Sequence, residues 1–185
     1  MGICMKFSFA SLFRTNPETV VAQRLYSAIV ARAREPGLYE GMGIPDTAVG
    51  RFASISLHGF LVMDRLGGEQ SATALSQRLF DVMFTDMDRN LREMGVGDLS
   101  VGKKVKRLAA SFYELSAAIR RGLVGDDSVL AEALVEHVYG GQPPSDLALI
   151  SVIHYIRTSV ATLAAQPLEV LAKGAVAYAP LPPGK

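Results

Sequence analysis

Apolar residues recur along most of the chain at steps of three and four, and no run alternates strictly enough to predict a strand. Asn16-Pro17-Glu18 combines a capping side chain, a proline suited to the first helical position and an acid for the first turn, which predicts a helix over 17–34. Pro36-Gly37 stops it, and a loop rich in glycine and proline follows to residue 46. Asp46 or Thr47 then caps a second helix that runs to about residue 66, before Gly67-Gly68. Its middle is apolar on nearly every side, as in a central buried helix, apart from one polar stripe of Arg51, Ser54, His58 and Arg65. Ser71 opens a third helix ending at Gly95, with Phe80, Phe84, Met87, Leu91 and Met94 as its apolar face. Asp81, Thr85, Asp88 and Arg92 line the other face, with Asp88 and Arg92 spaced to pair at i,i+4. A fourth helix runs from Ser100 to about Arg121 on the stripe Val101, Val105, Leu108, Phe112, Leu115 and Ile119. Arg120 and Arg121 fall in its last turn, where the helix dipole favours cations.

Asp127 caps a shorter fifth helix ending at Gly140-Gly141. Pro143-Pro144-Ser145 introduces a sixth, with Leu149, Ile153, Ile156, Val160 and Leu163 inward, and Pro167 begins a short last one. The fold class expected is all-α, a single globular bundle of six to seven helices. Its parts are an apolar and basic N-terminal segment over 1–15, a helical domain over 16–174, and a flexible proline-rich tail over 175–185.

Composition narrows the function. A chain of 185 residues, 49% hydrophobic, is long enough to bury a sizeable core as one domain. A net charge of +1 argues against wrapping DNA or RNA along the whole surface, so an anionic partner must be met by a local patch. The one cysteine, Cys4, has no second thiol for a disulfide or a metal site, and a reducing compartment follows. The longest uncharged run, residues 52–63, falls well short of the roughly 20 residues a spanning helix needs. Phe7, Phe9, Leu12 and Phe13, beside Lys6 and Arg14, lack the cleavage site of a signal peptide but suit contact with a membrane surface or client.

Motifs for chemistry are scarce. His58, His137 and His154 each lack the second histidine or the glutamate three residues earlier that helix-borne metal sites use. They read best as imidazoles partly buried and hydrogen-bonded to neighbours. Asp86-Met87-Asp88-Arg89-Asn90 starts like a calcium loop, but Leu91 stands where glycine must turn the chain and Gly97 where the closing glutamate belongs. No phosphate-cradling glycine motif and no nucleophile elbow is present. The expectation is a protein that is not an enzyme and needs no cofactor. One feature stands out: Lys103, Lys104, Lys106 and Arg107 lie together, and residues 99–113 hold no acid. This is either a solvated face or a patch for lipid headgroups, ribosomal RNA or an acidic protein.

The block Met83-Phe84-Thr85-Asp86-Met87-Asp88-Arg89-Asn90-Leu91-Arg92-Glu93-Met94, continued by Gly95-Val96-Gly97-Asp98-Leu99-Ser100-Val101-Gly102-Lys103-Lys104-Val105-Lys106, resembles the signature of the ubiquinol–cytochrome c chaperone family. A second block agrees: Gly43-Ile44-Pro45-Asp46-Thr47, Gly50-Arg51-Phe52, Leu57-His58 and Arg65-Leu66, and Phe112-Tyr113 fits its continuation. The resemblance covers about residues 25–140. It implies a helical, non-enzymatic assembly factor for cytochrome b of the bc1 complex. Implied partners are cytochrome b or other bc1 subunits, with a small partner chaperone or the ribosome beside them, and no DNA. The place expected is the cytoplasm, peripheral at the cytosolic face of the inner membrane. Candidate partner-binding residues are Asp86, Asp88, Arg89, Arg92, Asp98, Lys103, Lys104, Lys106, Arg107, His58 and Arg51. Seven methionines, several on the third helix, would offer a client an adaptable apolar surface. The alternative is a haem- or small-molecule-binding helical protein with His58 and His154 as ligands.

Overall fold

The computed structural model describes residues 17–181. Over these residues the chain is all-α: α1 (Pro17–Ala33), α2 (Ala48–Gly67), α3 (Thr73–Glu93), α4 (Asp98–Val124), α5 (Asp127–His137), α6 (Asp146–Ala165) and α7 (Leu168–Leu171). Helix α1 is helical from the first described residue, Pro17; its expected cap at Asn16 and the apolar N-terminal segment lie outside the described residues. Thr47, not Asp46, caps α2, its hydroxyl accepting from Gly50 N–H at 3.1 Å. Asp126 rather than Asp127 caps α5, its carboxylate accepting from the Ser128 and Val129 N–H groups. Ser145 caps α6.

Helix α2 packs against α1, α3, α4 and α6. Its uniform apolarity explains that position, since Leu57, Phe60, Leu61 and Val62 point different ways and are all buried. Helix α1 lies along α3, and α4 along α5. The last pair approaches so closely that a Cβ on Gly122 would stand 2.6 Å from the Leu130 Cα. Arg157 of α6 bonds Asp127 at 2.6 Å and the carbonyls of Gly122, Leu123 and Gly125, closing the α4 terminus with a cation. Arg65 does the same for α6, donating to Leu163 O at 3.0 Å.

Four expectations need correction. The apolar face of α3 is rotated: Leu75, Leu79 and Met83 are buried with Phe84 and Met87, whereas Met94 is 71% exposed beyond the helix end. The packing of α3 against α1, α2 and α4 at once sets this wider face. The segment after Pro36 is no open loop, because a π-helical turn at Gly37–Gly41 plugs Leu38, Met42 and Ile44 into the core. Residues 178–181 are not loose: Ala179 is buried and its N–H donates to Ser159 Oγ at 3.2 Å. Finally, α6 is long and apolar enough to cross a membrane by length and composition. In the fold it packs Val152, Tyr155, Ile156 and Leu163 into the bundle.

Candidate partner-binding surface

The block that joins α3 to α4 divides into two sets of charges with different partners. In the first, Asp86 accepts from the Tyr26 hydroxyl at 2.9 Å, from Asn90 at 3.0 Å and from Arg89. Asp88 pairs with Arg92 at 2.7 Å, and the same guanidinium reaches across the turn to Asp98. Gly95 supplies the positive φ of 79° that the turn requires. Asp86, Asp88, Arg89, Arg92 and Asp98 thus hold the α3–α4 corner and tie it to α1. Burial, then the bond to Asp86, pushes the Tyr26 hydroxyl well above its ordinary pKa, so it stays a donor. The second set, Lys103, Lys104, Lys106 and Arg107, is exposed on the first half of α4 with no ion pair among the described residues.

Beside the corner, α1 and α3 enclose a groove of about 760 Å³. Tyr26, Val30 and Val82 give it apolar lining, and Arg34, Arg78, Asp81 and Arg89 give it charged walls. Sequence patterning did not single out this groove, because Val30 and Val82 look like ordinary core positions on separate helices. The small and polar residues opposite them, Gln23 and Ser27 on α1 and Thr85 on α3, are the signal that the two helices do not close.

Arg51 is exposed and bonded to Asp46 at 2.6 Å, at the edge of a second cleft shared with Tyr39, Glu40 and Ile44. His58 is different, and its place among the partner contacts is corrected: it has no exposed surface. Its Nδ1 donates to Ser54 O at 2.7 Å and its Nε2 accepts from the Tyr155 hydroxyl at 2.8 Å. Tyr155 Oη in turn accepts from Arg32 Nε at 3.0 Å, and the Arg32 guanidinium also donates to Ala179 O. The Tyr178 hydroxyl closes the set by donating to His58 O at 3.2 Å, with its ring edge-on to the imidazole at 5.2 Å. Burial pushes the imidazole down to about 4, so it is neutral. The polar stripe of α2 therefore meets a polar knot inside the protein, made with residues from α1, α6 and the C-terminal segment.

Both His58 nitrogens are engaged, so neither is free to ligate haem iron, and His154 stands exposed on α6, apart from it. The remaining histidine, His137, ends α5 half-buried. Among the described residues no three His, Cys, Asp or Glu side chains group as metal ligands. Of the described methionines, Met42, Met83 and Met87 are buried, Met63 is half-buried and Met94 is exposed.

The described chain is thus an all-helical bundle with charged side chains tied into a corner, a groove between two helices and a cationic face. The chain belongs to the ubiquinol–cytochrome C chaperone family, whose pattern it matches over residues 40–178. It is similar to ubiquinol-cytochrome-c reductase complex assembly factor 1 of Xenopus laevis, 24% identical over 164 residues, covering 88% of this chain and 82% of that protein. The human protein of that name is 24% identical over the same length, and this chain spans 55% of it. Among solved structures it resembles the Cbp3 homolog from Brucella abortus, with 33% identity and a TM-score of 0.79, covering 94% of this chain and 98% of that one.

Proposed function

We propose that this chain is a non-enzymatic assembly chaperone that binds newly made cytochrome b and supports assembly of the ubiquinol–cytochrome c reductase complex, at the cytosolic face of the membrane. The observation that carries this reading is the family match across residues 40–178, joined to relatives named as assembly factors of that reductase. A holder of unassembled membrane helices needs apolar area framed by polar groups, so that a helix is gripped without being sealed in. The groove between α1 and α3 has that make-up, and its walls are fixed by the Tyr26–Asp86 bond. The test is affinity capture from cells that make the bc1 complex, together with deletion of the gene. Capture of cytochrome b, and loss of the assembled complex on deletion, are the expected results. Capture of no bc1 subunit with complex levels unchanged defeats the reading.

A further inference from the structure

The cations of this protein are unevenly paired. Arginines 32, 51, 65, 78, 89, 92, 120 and 157 all have carboxylate partners. Eight described cations have none among the described residues, and five of them sit on α4: Lys103, Lys104, Lys106, Arg107 and Arg121, with Arg24, Arg34 and Lys173 scattered elsewhere. Like charges at this spacing oppose helix formation, so their concentration is not explained by the stability of α4. The buried stripe Val101, Phe112, Leu115 and Ile119 fixes which way they point, which is outward.

Their arrangement also speaks to the shape of what they meet. Lys103, Arg107 and Arg121 follow one line of the helix, and the last lies about 27 Å beyond the first. Between Arg107 and Arg121 the exposed positions are Ala110, Ser111, Tyr113, Glu114, Ala117 and Arg120, so the unpaired positive charge is concentrated on the first half of the helix. A compact, exposed group of lysines with no neighbouring acid from residue 99 to 113 is complementary in charge to a flat anionic surface. Nucleic acid fits less well, because four of the five charges crowd into little more than one helical turn rather than tracking a backbone. Three of these four are lysines, compact point charges without the planar fork that grips a phosphate or carboxylate in one orientation. Beside them, seven residues on from Lys106, Tyr113 is 59% exposed while its ring stacks on Phe80 at 5.5 Å. An anchored aromatic ring with a free hydroxyl is the residue type that collects at the boundary between lipid headgroups and acyl chains.

We propose that the outer face of α4 is a docking surface for anionic lipid headgroups, with Lys103, Lys104, Lys106, Arg107 and Arg121 set against lipid phosphates and Tyr113 at the boundary. The inference rests on the membrane placement proposed for the chaperone and assigns the surface that makes it. The experiment is co-sedimentation of the purified full chain, without any client. The vesicles are of phosphatidylcholine alone or of phosphatidylcholine mixed with phosphatidylglycerol. Binding is expected only to the mixed vesicles and declines steeply with salt. The combined variant Lys103→Gln, Lys104→Gln, Lys106→Gln, Arg107→Gln loses at least about tenfold in partitioning, since each basic residue near an anionic surface adds to the attraction. All four side chains are exposed, so the variant keeps the helical circular dichroism and melting of the parent, and Lys173→Gln, at another exposed cation, binds as the parent does. Absence of binding to mixed vesicles at low salt overturns the proposal, as does undiminished binding by the combined variant. So does binding of a ribosomal RNA fragment through these residues in a protein that ignores the vesicles. Because no bc1 subunit is present, a negative result in this assay leaves the chaperone reading intact, and failure to capture bc1 subunits leaves the lipid surface intact.

Discussion

The imidazole of His58 has no contact with water, and its hydrogen bonds run in one direction: Arg32 to Tyr155, Tyr155 to His58, His58 to Ser54. Every polar atom in this series depends on its neighbour, because a buried donor or acceptor left alone is penalised by its full desolvation. The effect of pH follows from the depressed pKa. The folded ring stays neutral down to about 4, while the same ring in the unfolded chain takes up a proton near 6.5. The unfolded state therefore binds the extra proton first as pH falls. Stability from this group is whole above pH 6.5, drains away between 6.5 and about 4, and the loss amounts to roughly 3 kcal/mol. Urea unfolding across that window is expected to show the decline in the parent, and a shallower one in His58→Gln, whose amide cannot titrate. The sequence placed His58 on a polar stripe with Ser54 but had no means of saying that the stripe faced inward. That depends on Tyr155, which lies 97 positions away.

At the scale of the element, the C-terminal segment is the clearest case. Residues 175–181 have no helical period, contain Pro180 and run into Pro182-Pro183, so by pattern alone they belong to solvent. They are held instead by Gln166, which donates to Ala175 O and accepts from Ala177 N–H, each at 3.0 Å, and by the contacts of Tyr178 and Ala179 with the polar knot. Tyr178→Ala should lower the unfolding free energy by about 3 kcal/mol, the usual range for deleting a packed aromatic side chain, read by denaturant titration. An unchanged midpoint would mean the segment rests on the bundle without supporting it. The helices themselves were legible because their end signals are local: the Thr47 and Ser145 hydroxyls each accept from a backbone N–H within one turn. The π-turn at Gly37–Gly41 was not legible, since Leu38 and Met42 are drawn inward by a core assembled from distant helices.

For the whole molecule, the chaperone and lipid proposals assign separate tasks to two surfaces, which share the α3–α4 corner as their support. In these proposals the groove between α1 and α3 receives the client and the outer face of α4 meets the lipid. The two should therefore come apart in mutants. The pair Gln23→Arg and Thr85→Arg adds bulk and charge at exposed positions of the groove. It should reduce capture of cytochrome b by about tenfold, roughly 1.4 kcal/mol of binding, with vesicle binding and thermal melting unaltered. The family-bearing block was visible in the sequence as a run of charges, yet its division into a braced corner and a free cationic face was not. Whether Arg92 meets Asp88 and Asp98 or a partner is decided by the path of the turn at Gly95.

The polar knot around His58 also bears on how the chain reaches its native state during synthesis. Its members come from α1, α2, α6 and residues 178–179, so it stays open until nearly all of the described chain has left the ribosome. A nascent chain stopped short of that stretch holds a bundle with Arg32 and the His58 carbonyl missing bonds to Ala179 and Tyr178. Those buried groups then carry their full desolvation cost, so the bundle gains its last increment of stability only when residues 178–179 arrive.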